Sequence, residues 1–221
     1  MSLSSMTGGR PNFGKLDRQG LNLSDTHDMH PTDFSGPLHI SELPLPLGGT
    51  LGLVHCPGRQ GPDSSGQRWS RTLSADLQQI KEFGATTVLT LVSTAELARM
   101  GVPQLPQAVV DAGLHWAHVP IPDFEPPNAL SMRAWQTQMP QVQAALARQE
   151  KVVVHCAAGL GRTGTVAAML LALQGVPRDE AMARVRQVRP GAIETPAQEA
   201  FIREFSRELF AEFVTARATR A

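Results

Sequence analysis

Cysteine, lysine and tyrosine are scarce in this sequence. Its 221 residues include two cysteines, Cys56 and Cys156, three lysines and no tyrosine. Two cysteines cannot build a disulfide framework, which makes a reducing compartment the simpler interpretation. The 20 basic and 20 acidic side chains leave a formal net charge of zero, so no overall field attracts nucleic acid or an anionic membrane. Any anion-binding site must therefore be local.

Long hydrophobic runs are also missing. The longest uninterrupted apolar stretch, residues 166–173, has eight residues, whereas roughly 20 are needed to span a bilayer. The polar N-terminal residues carry no apolar core of the kind found in signal peptides. We therefore expect a cytoplasmic protein that has neither nucleic acid nor a membrane as its partner.

The N-terminal segment differs in composition from the rest of the chain. Residues 1–36 are rich in Ser, Thr, Gly, Asn and Asp without hydrophobic periodicity, which predicts a mobile tail. We expect one folded domain over residues 37–215 and a short C-terminal tail over residues 216–221. The N-terminal segment also holds potential metal ligands: Asp25, His27, Asp28, His30 and Asp33. Because metal ligands need a rigid frame, we predict that these residues hold no metal.

Beyond residue 40, short β-branched runs alternate with amphipathic segments. This pattern predicts an α/β fold with a central mixed sheet flanked by helices. The predicted strands are residues 51–54, 86–92, 114–119 and 151–154. Helices are predicted around residues 73–80, 93–101, 135–146, 163–174, 182–188 and 201–213. Ser93 and Glu96 form a capping box at the start of the second helix, and Pro140 should kink or divide the third.

The segment with the clearest chemistry is residues 152–164, Val-Val-Val-His-Cys-Ala-Ala-Gly-Leu-Gly-Arg-Thr-Gly. A β-branched strand leads into Cys156, a tight loop follows, and Arg162 opens a helix. Successive backbone N–H groups of such a loop can turn inward and, with the helix N-terminus, form an anion-binding nest. The predicted phosphate-binding residues are Ala157, Ala158, Gly159, Leu160, Gly161 and Arg162.

Each residue type in this loop has a separate physical reason to be there. Gly159 and Gly161 are expected to supply positive φ angles where the loop closes. The electrostatic field of the helix N-terminus favours the thiolate form of Cys156, which is the nucleophilic form. Arg162 offers a planar fork for two phosphate oxygens, which lysine could not imitate. A nucleophile and a phosphate cradle are thus predicted at the same place.

The pattern His-Cys-x5-Arg-Thr over residues 155–163 resembles the signature of the cysteine-dependent protein tyrosine and dual-specificity phosphatases. Within that superfamily the chain is most similar to the cyclin-dependent-kinase-associated group, over roughly residues 40 to 212. Further matching segments are Leu-Gly-Leu at 51–53, Pro-Gly at 57–58, Ile-Pro-Asp at 121–123 and Gly-Ala-Ile-Glu-Thr at 191–195. The alanines at 157 and 158 depart from the group's loop.

The resemblance implies a role for Asp123, which follows a predicted strand in a proline-rich loop. Cleavage of a phosphate ester requires a proton for the departing oxygen, delivered from the side opposite the thiolate. In the resembled family the aspartate at this motif position is the general acid. Glu125 is the alternative candidate for the general acid. Asp123 could instead be a solvated loop residue without a catalytic role.

Three residues beside the nucleophile are expected to support it. Thr163 could donate its hydroxyl to the sulfur of Cys156 and stabilise it as a leaving group, or it could form a hydrogen bond at the helix N-terminus. His155 matches the signature histidine and is expected to order the loop without taking protons. Cys56 could trap oxidised Cys156 in a disulfide, although a buried structural cysteine is the simpler interpretation.

Two interpretations of Gln198 stay open. Thr195, Pro196 and Gln198 have the spacing of a capping box with proline at the first helical position, which explains the glutamine structurally. The related enzymes use a glutamine here to position the hydrolytic water. Glu194, beside this segment, is interpreted as a loop charge.

The sequence therefore predicts a phosphoprotein phosphatase of dual specificity, for tyrosine and for serine or threonine, which acts through a cysteinyl-phosphate intermediate. We expect no metal and no cofactor in this mechanism, and a phosphoprotein as the substrate. Two alternatives are a sulfurtransferase of the rhodanese type and a phosphatase for a non-protein phosphate ester. The sulfurtransferase would not need Arg162 followed by Thr163.

Overall fold

The computed structural model describes residues 34–205 as an α/β fold. Its strands are Ser41–Pro44 (β1), Thr50–Val54 (β2), Gln60–Pro62 (β3), Arg68–Ser70 (β4), Ala85–Thr90 (β5), His115–His118 (β6) and Lys151–His155 (β7). Its helices are Leu73–Glu82 (α1), Thr94–Arg99 (α2), Leu105–Asp111 (α3), Ala129–Ala147 (α4), Gly161–Leu173 (α5), Arg178–Val188 (α6) and Pro196–Glu204 (α7). The potential metal ligands at 25–33 and the predicted boundary at 215 lie outside the described residues.

The main sheet has five strands in the order β1-β2-β7-β5-β6. β1 is antiparallel to β2, whereas the other three pairings are parallel. This arrangement confirms the predicted central mixed sheet. The middle strand β7 carries Val152, Val153 and Val154, all fully buried, because a strand paired on both edges and covered on both faces favours β-branched apolar residues.

The most apolar helix, α5, lies directly after the central strand. All of its residues from Gly161 to Leu171 are buried, so the first six residues of the eight-residue apolar run are core, and the last two are half-buried. In the part of the chain that the structure describes, no helix has both the length and the hydropathy needed to cross a membrane. The run instead packs against the sheet and against α6 and α7.

The structure differs from the predicted elements in several places. The hairpin β3-β4, the short helix α3 and the edge strand β1 were not predicted, because they are too short to show a periodicity. Pro140 does not divide α4, which is continuous through it. The proline is exposed, and the buried Trp135, Met139 and Val142 hold the apolar face of the helix in the core.

The last helix is shorter than predicted. α7 ends at Glu204, and Phe205 has extended backbone with ψ of 121°. There its carbonyl accepts a hydrogen bond of 2.6 Å from Nε of Arg178, and its ring meets Trp135 edge-on at 6.4 Å. The predicted continuation through Leu209 and Phe213 lies outside the described residues.

The sheet topology brings the chain segments that follow four strands to the same end of the sheet. Parallel strands place their carboxyl ends on the same side, which is where open α/β sheets bind ligands. The loops that follow β2, β6 and β7 contain Arg59, Asp123 and Cys156, respectively, and Glu96 lies in the first turn of α2, shortly after β5. Residues far apart in the chain are thereby collected around the end of the central strand.

Candidate active site

Cys156 follows β7 directly and is buried, with 3% of its surface exposed. The N–H of Gly159 donates to its Sγ at 3.2 Å. Gly159 has φ of +76°, which confirms its predicted positive φ, and a Cβ there would lie 2.4 Å from the carbonyl oxygen of Val54. Both the backbone conformation and the space around it therefore require glycine.

The prediction for Gly161 is wrong, because its φ is not positive. Glycine is needed there for a different reason. Its N–H donates to Oε2 of Glu194 at 2.7 Å, and a Cβ would lie 2.4 Å from that same oxygen. Glu194 is accordingly more than the loop charge that its sequence position suggested, since its carboxylate lies against the first residue of α5.

The orientation of the loop is set by donors that bind its carbonyl groups. Arg189 donates from Nη2 to the carbonyl of Ala158 at 3.3 Å and from Nε to that of Gly159 at 3.2 Å. The carbonyl of Ala157 accepts from Nη1 of Arg59 at 3.0 Å and from the N–H of Cys56 at 3.2 Å. Because the two ends of a peptide group point in opposite directions, these contacts turn the loop amides away from the arginines. Neither arginine had a sequence signal.

The amides turned in this way are free of protein acceptors. Within residues 34–205, the N–H groups of Ala157, Ala158 and Leu160 donate to no protein group. They follow Cys156 and precede α5, whose first turn adds further unpaired N–H groups. This is the arrangement of a backbone anion site.

Arg162 lies in the first turn of α5 and is almost completely buried. Its Nη1 donates to Oε1 of Glu96 at 2.7 Å and to the carbonyl of Ile121 at 3.1 Å. Its Nη2 is 2.8 Å from Oδ1 of Asp123. The guanidinium is thus held by the start of α2 and by the loop after β6, and it bridges the catalytic loop to the predicted acid.

Glu96 has a second role that its sequence pattern did not reveal. The predicted capping box with Ser93 is confirmed, with Oε2 of Glu96 accepting from the Ser93 N–H at 2.8 Å. The other carboxylate oxygen holds Arg162. Burial acts to raise the pKa of Glu96, but the hydrogen bonds from Ser93 and Arg162 outweigh it and lower that pKa below its usual value. Glu96 therefore stays ionised opposite the arginine.

The predicted acid loop is tied to the start of α7. The side chain of Asp123 is 58% exposed, and the next residue, Phe124, has φ of +57°. The hydroxyl of Thr195 donates to the carbonyl of Phe124 at 3.1 Å, and Nε2 of Gln198 lies 3.4 Å from the carbonyl of Glu125. A positive φ at a phenylalanine is strained, and these two contacts hold it. The side chain of Glu125 is exposed and has no hydrogen bond or ion pair among residues 34–205.

His155 is buried beneath the catalytic loop. Its Nδ1 lies 3.1 Å from the carbonyl of Cys156, and its Nε2 lies 2.8 Å from Oγ1 of Thr90, which accepts from Nε1 of Trp116 at 2.9 Å. These partners assign the Nδ1–H tautomer. Burial, above all, lowers the pKa of His155 to about 4, so the ring is neutral at pH 7 and acts as an orienting group.

The predicted contact between Thr163 and the nucleophile is absent. The Thr163 hydroxyl is fully buried on α5 and has no hydrogen-bond partner among residues 34–205. The alternative bond at the helix N-terminus is also not formed. The sulfur of Cys156 instead accepts the N–H of Gly159. A catalytic role for Thr163 stays a prediction, which this geometry does not support.

The capping interpretation of Gln198 is confirmed. Thr195 accepts from the N–H of Gln198 at 3.2 Å, and Oε1 of Gln198 accepts from the N–H of Glu194 at 2.9 Å and of Thr195 at 3.3 Å. Proline occupies the start of the helix as predicted. Gln198 is fully buried, and its amide nitrogen reaches the acid loop. Its role toward a water molecule stays a prediction.

Cys56 is fully buried beside the catalytic loop. Burial raises the pKa of its thiol well above the usual value, so the thiol is neutral, as expected of a structural cysteine. Among the described residues, no three His, Cys, Asp or Glu side chains are grouped as a metal site. A redox role for Cys56 stays untested.

Comparison with known proteins gives this geometry a context. Residues 69–202 match a family model described as the Swiss Army Knife protein, DSP-PTPase phosphatase domain. Cyclin-dependent kinase inhibitor 3 from Mus musculus is 31% identical over 199 residues, which cover 87% of this chain and 90% of that protein. Protein tyrosine phosphatase type IVA 3 from Homo sapiens is 32% identical over 126 residues, or 55% of this chain and 65% of that protein.

A solved structure is similar over most of the fold. It is a kinase associated phosphatase whose catalytic-site cysteine is replaced by serine. It has a TM-score of 0.69 and 29% identity, and the match covers 80% of this chain and 97% of that chain. None of these comparisons points to a rhodanese-type sulfurtransferase.

Proposed function

The chain belongs to the DSP-PTPase phosphatase domains and is a cysteine-dependent protein phosphatase, and on that premise we propose that it hydrolyses phosphoproteins through a cysteinyl-phosphate intermediate on Cys156. One observation carries this proposal. The thiol of Cys156 lies at the start of a loop with unpaired amides, and Arg162 joins that loop to Asp123 at 2.8 Å. A nucleophile, an oxyanion cradle and a proton donor are the parts that phosphate ester cleavage requires.

In the first step, the Cys156 thiolate attacks phosphorus, and the bond from phosphorus to the leaving oxygen breaks. The loop amides and the Arg162 guanidinium hold the phosphoryl oxygens, and Asp123 gives its proton to the departing oxygen. Asp123 already lies beside Arg162, and more than half of its side chain is exposed, so a bound substrate can reach it.

In the second step, water attacks the cysteinyl phosphate. Asp123, now ionised, takes a proton from the water, the sulfur–phosphorus bond breaks, and inorganic phosphate leaves with the thiolate restored. Gln198 is the residue that we propose to position this water, since its amide nitrogen lies next to the acid loop. His155 takes no proton in either step.

The proposed substrate is a phosphorylated protein, with both tyrosine and serine or threonine accepted. The relatives support a protein substrate, since one is named as an inhibitor of cyclin-dependent kinases and one structure as a kinase associated phosphatase. The alternative of a non-protein phosphate ester receives no support from these relatives. A nucleophilic thiol works only when reduced, which supports a cytoplasmic location.

The experiment that tests the proposal compares the wild type with Cys156→Ser on an aryl phosphate in excess EDTA. We expect wild-type turnover to persist in EDTA and to be blocked by vanadate. Cys156→Ser should have no measurable turnover yet still bind phosphate, because a serine hydroxyl is a much weaker nucleophile than a thiolate while the cradle remains. Activity that returns only with an added divalent metal would contradict the mechanism.

A further inference from the structure

A second carboxylate shares the catalytic loop with the residues already assigned. Glu194, from the segment before α7, accepts the N–H of Gly161 at 2.7 Å. Gly161 is one of the residues predicted to bind phosphate, and its lack of a side chain is what admits this carboxylate, because a Cβ would lie 2.4 Å from Oε2. The carboxylate of Glu194 therefore binds the N–H of Gly161, which is one of the amides predicted to bind phosphate.

The surroundings of Glu194 have opposing effects on the pKa of its carboxyl. Desolvation raises the pKa of its carboxyl, the hydrogen bond from Gly161 lowers it, the charge of Asp123 raises it and that of Arg162 lowers it. The net effect is a raised pKa. The charged groups that act on it are thus Arg162 on α5 and Asp123 on the acid loop.

An ionised carboxylate on the same cradle weakens the binding of a phosphoryl dianion. Two like charges at such a distance repel, and the more strongly the less water separates them. A neutral carboxyl, in contrast, has an O–H group that can donate to a phosphoryl oxygen. Protonation therefore changes Glu194 from a carboxylate that repels the phosphate into a carboxyl that can donate a hydrogen bond to it.

We propose that Glu194 is a substrate-contacting residue that accepts from Gly161 in the free enzyme and, as a neutral acid, donates to a phosphoryl oxygen in the complex. This inference rests on the proposed function, since it requires phosphate at this loop. Binding of a dianion then takes up one proton from solvent, which is released again when inorganic phosphate leaves. No covalent bond to Glu194 forms or breaks other than that to the proton.

The test measures proton uptake with sulfate, a dianion that carries no proton between about pH 5 and 9. Titration calorimetry in buffers of different ionisation enthalpy counts the protons taken up on binding. All proteins carry Cys156→Ser, which removes the thiol from the proton count. At pH 7 we expect uptake approaching one proton in Cys156→Ser, and close to none in Cys156→Ser with Glu194→Gln.

The same two proteins, Cys156→Ser with and without Glu194→Gln, should also differ in how their affinity for sulfate depends on pH. Sulfate affinity of Cys156→Ser should fall by up to about tenfold per pH unit where Glu194 ionises, because binding then requires a proton. With Glu194→Gln the decline should be much shallower, and Glu194→Ala should behave like Glu194→Gln in both measurements. Glu194 is replaced in two ways so that the loss of its carboxyl can be distinguished from misfolding of one variant, which melting curves would reveal.

Two control substitutions assign the proton. Glu180→Gln, on the exposed face of α6, should leave uptake unchanged. Asp123→Asn should also leave most of it in place. If Asp123→Asn abolishes uptake and Glu194→Gln preserves it, the proposal for Glu194 is overturned while the phosphatase proposal stands. If sulfate binds to none of these proteins, the phosphate cradle itself, and with it the proposed function, is wrong.

Discussion

At the scale of single residues, three carboxylates around one guanidinium take different roles because their surroundings differ. Glu96 is held by Ser93 and Arg162, so its pKa is lowered and it anchors the arginine. Asp123 is exposed on one side, where a leaving group can reach it. Glu194 loses hydration over the cradle, so its pKa is raised. The same functional group is thus an anchor in Glu96, and we propose it as a proton donor in Asp123 and as a partner of the phosphate in Glu194.

The role of Asp123 is tested through the leaving group. A nitrophenol can leave as its anion, whereas a serine or threonine alkoxide needs a proton. Asp123→Asn should therefore slow alkyl phosphate hydrolysis by about 10²-fold or more, and nitrophenyl phosphate hydrolysis far less. Steady-state kinetics on the two substrates measures this. Glu125→Gln is the control and should leave the contrast intact, whereas an equal loss on both substrates in Asp123→Asn would identify another acid.

At the scale of elements, the catalytic loop depends on structures that lie behind it. The end of α6 supplies Arg189, which binds two loop carbonyls, and the start of α7 supplies the capping box that contacts the acid loop. α5 supplies the helix N-terminus and Arg162. The two loops of the site are therefore held by the end of α6 and the start of α7.

Arg189 is expected to act by positioning. Arg189→Met keeps an unbranched side chain of similar length but removes the donors to Ala158 and Gly159. We expect kcat/KM to fall on the order of 10²-fold, because misaligned amides stabilise the transition state less. Arg184→Met on the exposed face of α6 is the matched control and should retain activity. Wild-type kinetics in Arg189→Met would show that the loop holds its shape unaided.

Gln198 is expected to stabilise α7 through its cap. Gln198→Ala removes the acceptor of the Glu194 and Thr195 N–H groups, so the free energy of unfolding should fall by about 1 kcal/mol. Urea unfolding measures this, with Gln143→Ala on the exposed face of α4 as the control. The amplitude of the kinetic burst, followed in parallel, tests the water-positioning role. A larger burst with unchanged stability would contradict the capping role.

At the scale of the whole molecule, a mixed sheet gathers the site at the carboxyl ends of its parallel strands. Side chains from α2 and from the loops after β2, β6 and β7 meet there. Beneath them, His155 is buried as a neutral ring between Thr90 and the Cys156 carbonyl. The global stability must consequently depend on the protonation state of that histidine.

The pH dependence of stability follows from the lowered pKa of His155. Between pH 6.5 and about 4 the unfolded chain binds a proton at His155 that the folded protein does not bind. The free energy of unfolding therefore falls as pH decreases through this interval, by up to about 3 kcal/mol from this residue. Urea unfolding at several pH values should show a shallower decline in His155→Asn, and an unchanged one in His115→Asn. An equal slope in wild type and His155→Asn would refute the assignment.

Much of this molecule follows from local sequence. The run of valines before Cys156, the glycine at 159 and the spacing to Arg162 identify the strand, the turn and the anion site together, because each is a short-range preference of the backbone. The capping boxes at Ser93 and Thr195 were predicted for the same reason. A division of α4 at Pro140 and a positive φ at Gly161 are not found, because packing around Trp135 and the approach of Glu194 lie outside any local window.

The sequence by itself determined the candidate nucleophile, arginine and acid and the α/β class, since these rest on patterns a few residues long. Only the tertiary structure decided which groups hold them in place. Arg59, Arg189, Glu96 and Glu194 reach the catalytic segment from 98, 31, 66 and 33 positions away. Contacts of that separation depend on strand order and on the closing of several loops, which no local periodicity encodes.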